Sequence, residues 1–136
     1  PYLTNETIFD VIKLPGHLII IGGGPIGMEL AQAHRRLGSK VTVIEAMKAL
    51  GKDDPELTAI ALRNLRAEGI EIFEETPVLS VEKRGKSGVR VFVGGTDGER
   101  SVDGTHLLVA AGRAANVNGL DLDKAKIAFD RRGIPV

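Results

Sequence analysis

Three glycines and one distant acid are the residues of this chain whose types and spacing could do chemistry. Gly22, Gly24 and Gly27 fall at the spacing G-x-G-x-x-G directly after the apolar run Leu18-Ile19-Ile20-Ile21, and Glu45 stands eighteen positions beyond Gly27. Gly22 would let the backbone turn sharply out of a strand, Gly24 would let phosphates approach the main chain, and Gly27 would let a helix pack closely on the sheet. A helix starting near Pro25 leaves its first amides unpaired and puts the positive end of its dipole there, which favours an anion. Pro25 suits that first turn because it has no N–H to lose. Glu45, ending the next apolar run Val41-Thr42-Val43-Ile44, could accept hydrogen bonds from ribose hydroxyls. Together these residues describe a site for the pyrophosphate and adenosine of a dinucleotide.

The acid also bears on which dinucleotide. A 2′-phosphate beside Glu45 would meet a like charge, so NAD is expected over NADP. Lys48 could swing toward such a phosphate or stand as a solvated loop charge, and Glu45 could instead pair with Lys40 or Lys48. The plain alternative for the whole motif is a β-turn-α unit with no ligand, because a chain with 17 glycines offers the pattern readily. Context supports the site. Ile26, Leu30, Ala33 and Leu37 recur at helical spacing as one apolar stripe, with Gln32, Arg35 and Arg36 on other faces and Gly38 as a stop.

The elements that must position these residues follow from the same reading. Thr4 to Asp10 reads as a short helix capped by Thr4 and closed before Pro15-Gly16. Asp54 is a good N-cap with Pro55 and Glu56 behind it, and Leu57, Ile60, Ala61 and Leu65 are expected to form the buried face of a helix ending at Gly69. Ile70 to Phe73 supplies a third strand, which makes residues 18–74 a βαβαβ unit. Three short strands then replace a further helix: Val78 to Lys83, Val89 to Val93 and about Glu99 to Val102, separated by Gly85-Lys86-Ser87-Gly88 and Gly94-Gly95-Thr96-Asp97-Gly98. They read as an antiparallel meander over residues 78–103. Leu107 to Ala111 resumes as a buried parallel strand ending in Gly112-Arg113. The fold class is therefore α/β, a Rossmann-like parallel sheet with an antiparallel β-meander crossover before the last parallel strand. Strand ends on that side of such a sheet line the ligand crevice, which makes Ala111 and Gly112 candidate cofactor contacts.

Composition narrows the function classes. With 136 residues and 43% hydrophobic content, the chain suits one compact domain. Its formal net charge of zero argues against broad capture of nucleic acid or an anionic membrane. No apolar run is long enough to span a bilayer and no signal peptide is evident, so a soluble, cytoplasmic protein is expected. Zero cysteines exclude disulfides, thiolate metal sites and dithiol chemistry within these residues. His17, His34 and His106 show no ligand spacing and read as solvated or capping residues, so no metal is expected. Arg35-Arg36 and Lys83-Arg84 read as solvated faces. The start at Pro1 reads as an excised piece of a longer chain.

Taken in order, NETIFD and LP, GGGPIGMELA, VTVIE, the long second helix, the meander, LLVAAGR and a terminal Gly-Ile-Pro-Val give a chain that resembles the NAD-binding domain of the flavin-dependent pyridine nucleotide disulfide oxidoreductases. Within that family it is most similar to dihydrolipoamide dehydrogenases and mercuric-reductase-like proteins. The resemblance covers essentially all of the chain. It implies that Gly22, Gly24, Pro25, Ile26 and Gly27 form the pyrophosphate loop, that Glu45 is the ribose acid, that Val78 is an adenine-side contact and that Gly112 lies near the cofactor. It implies for Glu29 a place beside the nicotinamide carboxamide, where the residues alone allow equally a first-turn acid complementing the helix dipole. Pro25 stands where some relatives carry an aromatic over the flavin, and Ala115 interrupts the common Gly-Arg-x-Pro-Asn stretch.

The resemblance further implies a longer chain with FAD in its own domain, a dithiol pair and a dimer domain, working as a homodimer in which hydride passes between NADH and flavin. This piece would bind and orient the nicotinamide, and would not turn over alone. Two rivals remain: a regulatory NAD-sensing module without catalysis, and a structural α/β domain with an empty crevice.

Overall fold

The computed structural model describes residues 2–86, 88–95 and 98–135. Ser87, Thr96 and Asp97 of the two meander turns, Val136 of the terminal tetrapeptide and Pro1 lie outside the described residues. The continuous apolar run becomes β1 (His17–Ile21), one of the two interior strands of a four-stranded parallel sheet. Helix α1 (Pro25–Leu37) carries the chain from β1 to β2 (Lys40–Ile44), and α2 (Pro55–Ala67) carries it to β3 (Glu71–Phe73). An antiparallel sheet of β4 (Val78–Arg84), β5 (Gly88–Val93) and β6 (Arg100–Gly104) then returns it to β7 (His106–Val109). The parallel sheet is ordered β3-β2-β1-β7. Ile20 pairs with Val43 on one side and with Leu108 on the other.

Both faces of this sheet are covered, which explains why the runs Leu18-Ile19-Ile20-Ile21 and Leu107-Leu108-Val109 are apolar on both sides. Leu18, Ile20, Val41, Val43 and Leu108 pack with Met28, Ala31, Leu62 and Leu65 from the helices. Ile19, Ile44 and Leu107 pack on the opposite face with Val91 and Val93 of the meander. Each fully buried aliphatic of β1 contributes roughly 1.5–3 kcal/mol relative to its exposed state. Among the described residues no helix is long and apolar enough to cross a membrane.

Several expected details are corrected. In α1 the buried residues are Gly27, Met28 and Ala31, whereas Ala33 is exposed and Leu37 is 68% exposed. The phase is set by Gly27, where a Cβ would lie 2.0 Å from the carbonyl oxygen of Gly22, so this side of the helix is the one pressed to the sheet. In α2 the buried residues are Leu62 and Leu65, while Leu57 is 69% and Ile60 49% exposed. The buried faces are rotated from the expected stripes and still overlap them, since Leu30 packs on the core and Leu65 is buried in it.

Strand β7 ends at Val109, although the Ala110 amide still donates to the Ile21 carbonyl at 2.8 Å. Ala111 is already exposed. The N-terminal helix is a single 3₁₀ turn, Thr7–Asp10, with the Thr4 hydroxyl accepting from the amides of Glu6 and Thr7 at 3.3 and 3.4 Å. Just before it, Leu3 bridges to Leu108 as a further parallel rung, its amide donating to the Leu107 carbonyl at 2.7 Å and its carbonyl accepting from the Val109 amide at 2.9 Å. Nothing in the sequence pattern announces that pairing.

Candidate functional site

The glycine loop is built by steric necessity at two positions and by open space at a third. At Gly22, φ is +110° and a Cβ would stand 2.4 Å from the carbonyl oxygen of Ala110, so the loop leaves β1 directly against the end of β7. Gly27 meets the Gly22 carbonyl in the same way. At Gly24 the backbone is extended and a Cβ would meet nothing within 4 Å, leaving room beside the N-terminus of α1. No side chain caps that terminus. The amides of the first turn and the helix dipole thus face open space, bounded by the Gly22–Gly24 backbone.

Glu45 closes the other side. Its Oε2 accepts from the Gly23 amide at 2.7 Å and its Oε1 from the Met47 amide at 2.9 Å. Its own amide donates to the Phe73 carbonyl and its carbonyl accepts from Thr76, both at 2.9 Å. Of the lysines offered as alternative partners for Glu45, Lys40 pairs instead with Glu71 at 3.2 Å. Residues 46–51 lie across the loop, with the Leu50 amide donating to the Gly23 carbonyl at 2.8 Å. A second acid, Glu74, ties this segment down: its Oε1 accepts from the Ala49 amide at 2.9 Å and its Oε2 from Arg66 Nη2 at 2.6 Å. Burial opposes ionisation of Glu74, but the hydrogen bonds from Arg66 and Ala49 outweigh it and hold the carboxyl below its ordinary range. Glu74 is not singled out by any sequence pattern. The only available signal was Arg66 eight residues earlier, which is weak.

The structure therefore brings Gly22, Gly24, Gly27 and Glu45 together, with Ala111 beyond Ala110 at the same strand ends. Gly112 follows in the left-handed region, φ +147°, with open space around it. Ile26 is half-buried beside the loop. Glu29 is exposed and joins Pro25, Met28 and Gln32 in lining a groove of about 370 Å³, whose other wall comes from Leu50, Ala61 and Asn64. Val78 sits apart from the loop contacts and, like Phe73, packs against the meander-side core. Phe73 carries the guanidinium of Arg100 over its ring at 4.3 Å.

Polar residues at the opposite end of the sheet also depart from expectation. His17 is half-buried rather than solvated, its Nε2 lying 2.8 Å from the hydroxyl of Thr42. Thr42 is fully buried and donates to Glu71 Oε2 at 2.7 Å. Burial, aided by Lys40, pushes the His17 pKa down, and the Thr42 hydroxyl is foremost in holding Glu71 below the usual carboxylate range. The paired arginines of α1 are likewise engaged. Arg35 donates to the Glu68 carbonyl at 2.8 Å and Arg36 to the Glu68 carboxylate at 2.8 and 2.7 Å, joining α1 to the end of α2. Arg84 pairs with Asp103 at 3.2 Å.

A parallel sheet ordered β3-β2-β1-β7, a glycine turn into the first helix and an acid ending the second strand define a Rossmann-like α/β protein. Residues 1–136 match the family described as pyridine nucleotide-disulphide oxidoreductase, and the chain belongs to it. It is 37% identical over 132 residues to a mercuric reductase of Streptomyces lividans, covering 97% of this chain and 28% of the relative. It is 39% identical over 125 residues to a dihydrolipoyl dehydrogenase of Thermus scotoductus, covering 88% of this chain and 26% of the relative. Among solved structures, the HOCl-induced flavoprotein disulfide reductase RclA from Escherichia coli superposes with a TM-score of 0.85 at 30% identity, covering 99% of this chain and 30% of that one. The chain thus spans about a quarter of the length of these curated relatives.

Proposed function

We propose that this chain is the NAD(H)-binding domain of a flavoprotein disulfide oxidoreductase, orienting the nicotinamide for hydride exchange with FAD held elsewhere in a longer chain. The observation that carries the proposal is the Gly23–Glu45 hydrogen bond of 2.7 Å, which sets a carboxylate beside the open space at Gly24. The residues fit the ligand. Each oxygen of Glu45 takes one backbone amide and keeps a further lone-pair site for a ribose hydroxyl. The α1 tip offers unpaired amides to the pyrophosphate. A 2′-phosphate would be placed against the Glu45 carboxylate, which favours NAD over NADP.

In this reading Gly22, Gly24, Pro25, Ile26 and Gly27 cradle the pyrophosphate, Ala111 and Gly112 lie along the nicotinamide half, Val78 flanks the adenine, and Glu29 neighbours the carboxamide. NADH, when bound, supplies a hydride from its nicotinamide that flavin accepts. The protein's part is to bind and orient, so the isolated chain would not turn over, and the full-length enzyme would be a homodimer. Titration with NADH and NADPH, followed by nucleotide fluorescence, tests the proposal. Saturable NADH binding, tighter than NADPH binding, is the expected result. Absence of saturable binding of either at millimolar concentration would overturn it.

A further inference from the structure

The segment that follows Glu45 is held from outside the glycine loop. Glu74, one residue past the end of β3, takes the Ala49 amide on one carboxylate oxygen and Arg66 of α2 on the other, at 2.9 and 2.6 Å. The Thr76 hydroxyl donates to the Glu74 carbonyl at 2.8 Å and fixes its backbone. The segment so anchored does three things. Its Met47 amide donates to Glu45 Oε1, its Leu50 amide donates to the Gly23 carbonyl, and its Ala49 side chain packs on Gly23, where an added Cβ would lie 3.2 Å away. Glu45 is thus aimed by two amides, and one of them depends on a segment tied down by Glu74.

We propose that Glu74, braced by Arg66, is a positioning residue for nucleotide selection: it holds residues 46–51 so that the Glu45 carboxylate meets the adenosine ribose in a fixed orientation. This rests on the proposed NAD(H) site and names what gives that site its selectivity. With Ala49 released, Met47 is held through its carbonyl alone, which accepts from the Glu75 amide at 2.8 Å, and the aim of its amide at Glu45 loosens. A carboxylate free to turn grips a ribose diol less well and repels a 2′-phosphate less strongly, so selectivity falls further than stability does. The Arg66–Glu74 pair is partly exposed, so little folding energy rides on it. The need for an anchor is geometric, because Glu45 has to meet the ligand within a narrow range of orientation.

The test titrates wild type, Glu74→Ala, Glu74→Gln and Arg66→Met with NADH and with the analogue lacking the adenosine 2′-hydroxyl, with a thermal melt for each. A fold that merely loosens would weaken both ligands alike and leave their affinity ratio unchanged. We expect the wild type to prefer NADH by about tenfold, the scale of one hydrogen bond to a charged group. Glu74→Ala should reduce NADH affinity by about tenfold and bring the ratio to within about twofold of unity. Glu74→Gln keeps an acceptor for the Ala49 amide and should restore most of the preference. If Glu74→Ala does not fold, Glu74→Gln and Arg66→Met carry the same criterion, with a reduced ratio expected in Arg66→Met. A wild type that binds NADH and variants with an unchanged ratio would overturn the role of Glu74 alone. A wild type that binds no NADH would overturn the underlying site, and this role with it.

Discussion

The backbone amide of Gly23 donates a 2.7 Å hydrogen bond to the carboxylate of Glu45, 22 residues later in the chain. The turn after the first strand and the acid ending the second are therefore joined before any ligand arrives. Ordering costs that would otherwise oppose binding are already met in folding.

On the proposed NAD(H) site, Glu45→Arg would replace the ribose acceptor with a cation suited to phosphate. We expect the ratio of NADPH to NADH affinity to rise by at least about tenfold, or ~1.4 kcal/mol. Fluorescence titration of both nucleotides checks this, and an unchanged ratio would remove Glu45 from the site.

The three glycines should separate by experiment. Gly22→Ala and Gly27→Ala place a Cβ 2.4 and 2.0 Å from backbone oxygens. We expect losses of about 2–3 kcal/mol or more, read by denaturant unfolding. Gly24→Ala meets nothing within 4 Å. It should melt like the wild type while NADH affinity falls, because on the proposed site the methyl group would occupy the approach of the phosphates.

Helix α2 offers a paired test of packing. Leu62→Ala removes a residue only 8% exposed and should cost about 2–5 kcal/mol. Leu57→Ala, at a residue 69% exposed, should stay within about 0.5 kcal/mol of wild type. Urea midpoints of the two variants decide whether the face is assigned correctly.

Acid should destabilise the protein in two windows. His17 lies below its ordinary value of 6.5 through burial, and Glu71 below 4.5 through the Thr42 hydroxyl. In both cases the folded state binds fewer protons than the unfolded chain, so stability rises with pH across the window. The contribution of His17 is complete above pH 6.5 and lost as pH falls through its folded value, and that of Glu71 follows below 4.5. Melting curves across this range should show both losses. Thr42→Val should shrink the lower one and cost about 1–3 kcal/mol at neutral pH, because a buried polar pairing is removed.

The order of elements and the meeting of the glycine loop with Glu45 are legible in the sequence because each rests on a local rule. Gly22 to Gly27 follows an all-apolar strand, Asp54 precedes Pro55, and Val89, Val91 and Val93 alternate. What escaped depends on contacts between distant segments. Leu37 and Leu57 look as apolar as Met28 and Leu62, and only the pressure of Gly27 on Gly22 and the seating of α2 on the sheet decide which face is buried. Thr42 sits in an apolar strand, where its hydroxyl gains meaning from His17 and Glu71 in neighbouring strands. Glu74 is one acid among 18 until its carboxylate is seen to hold Ala49.

Leu3 lies along the outer side of β7, occupying the Leu107 carbonyl and the Val109 amide. An open rim there would be a template for foreign strands, and a stack of such sheets is how aggregates grow. The opposite rim, β3, is only three residues long and carries the charged Glu71. Trimming the chain before Thr4 would therefore leave the glycine-loop geometry in place but give a protein that self-associates on concentration.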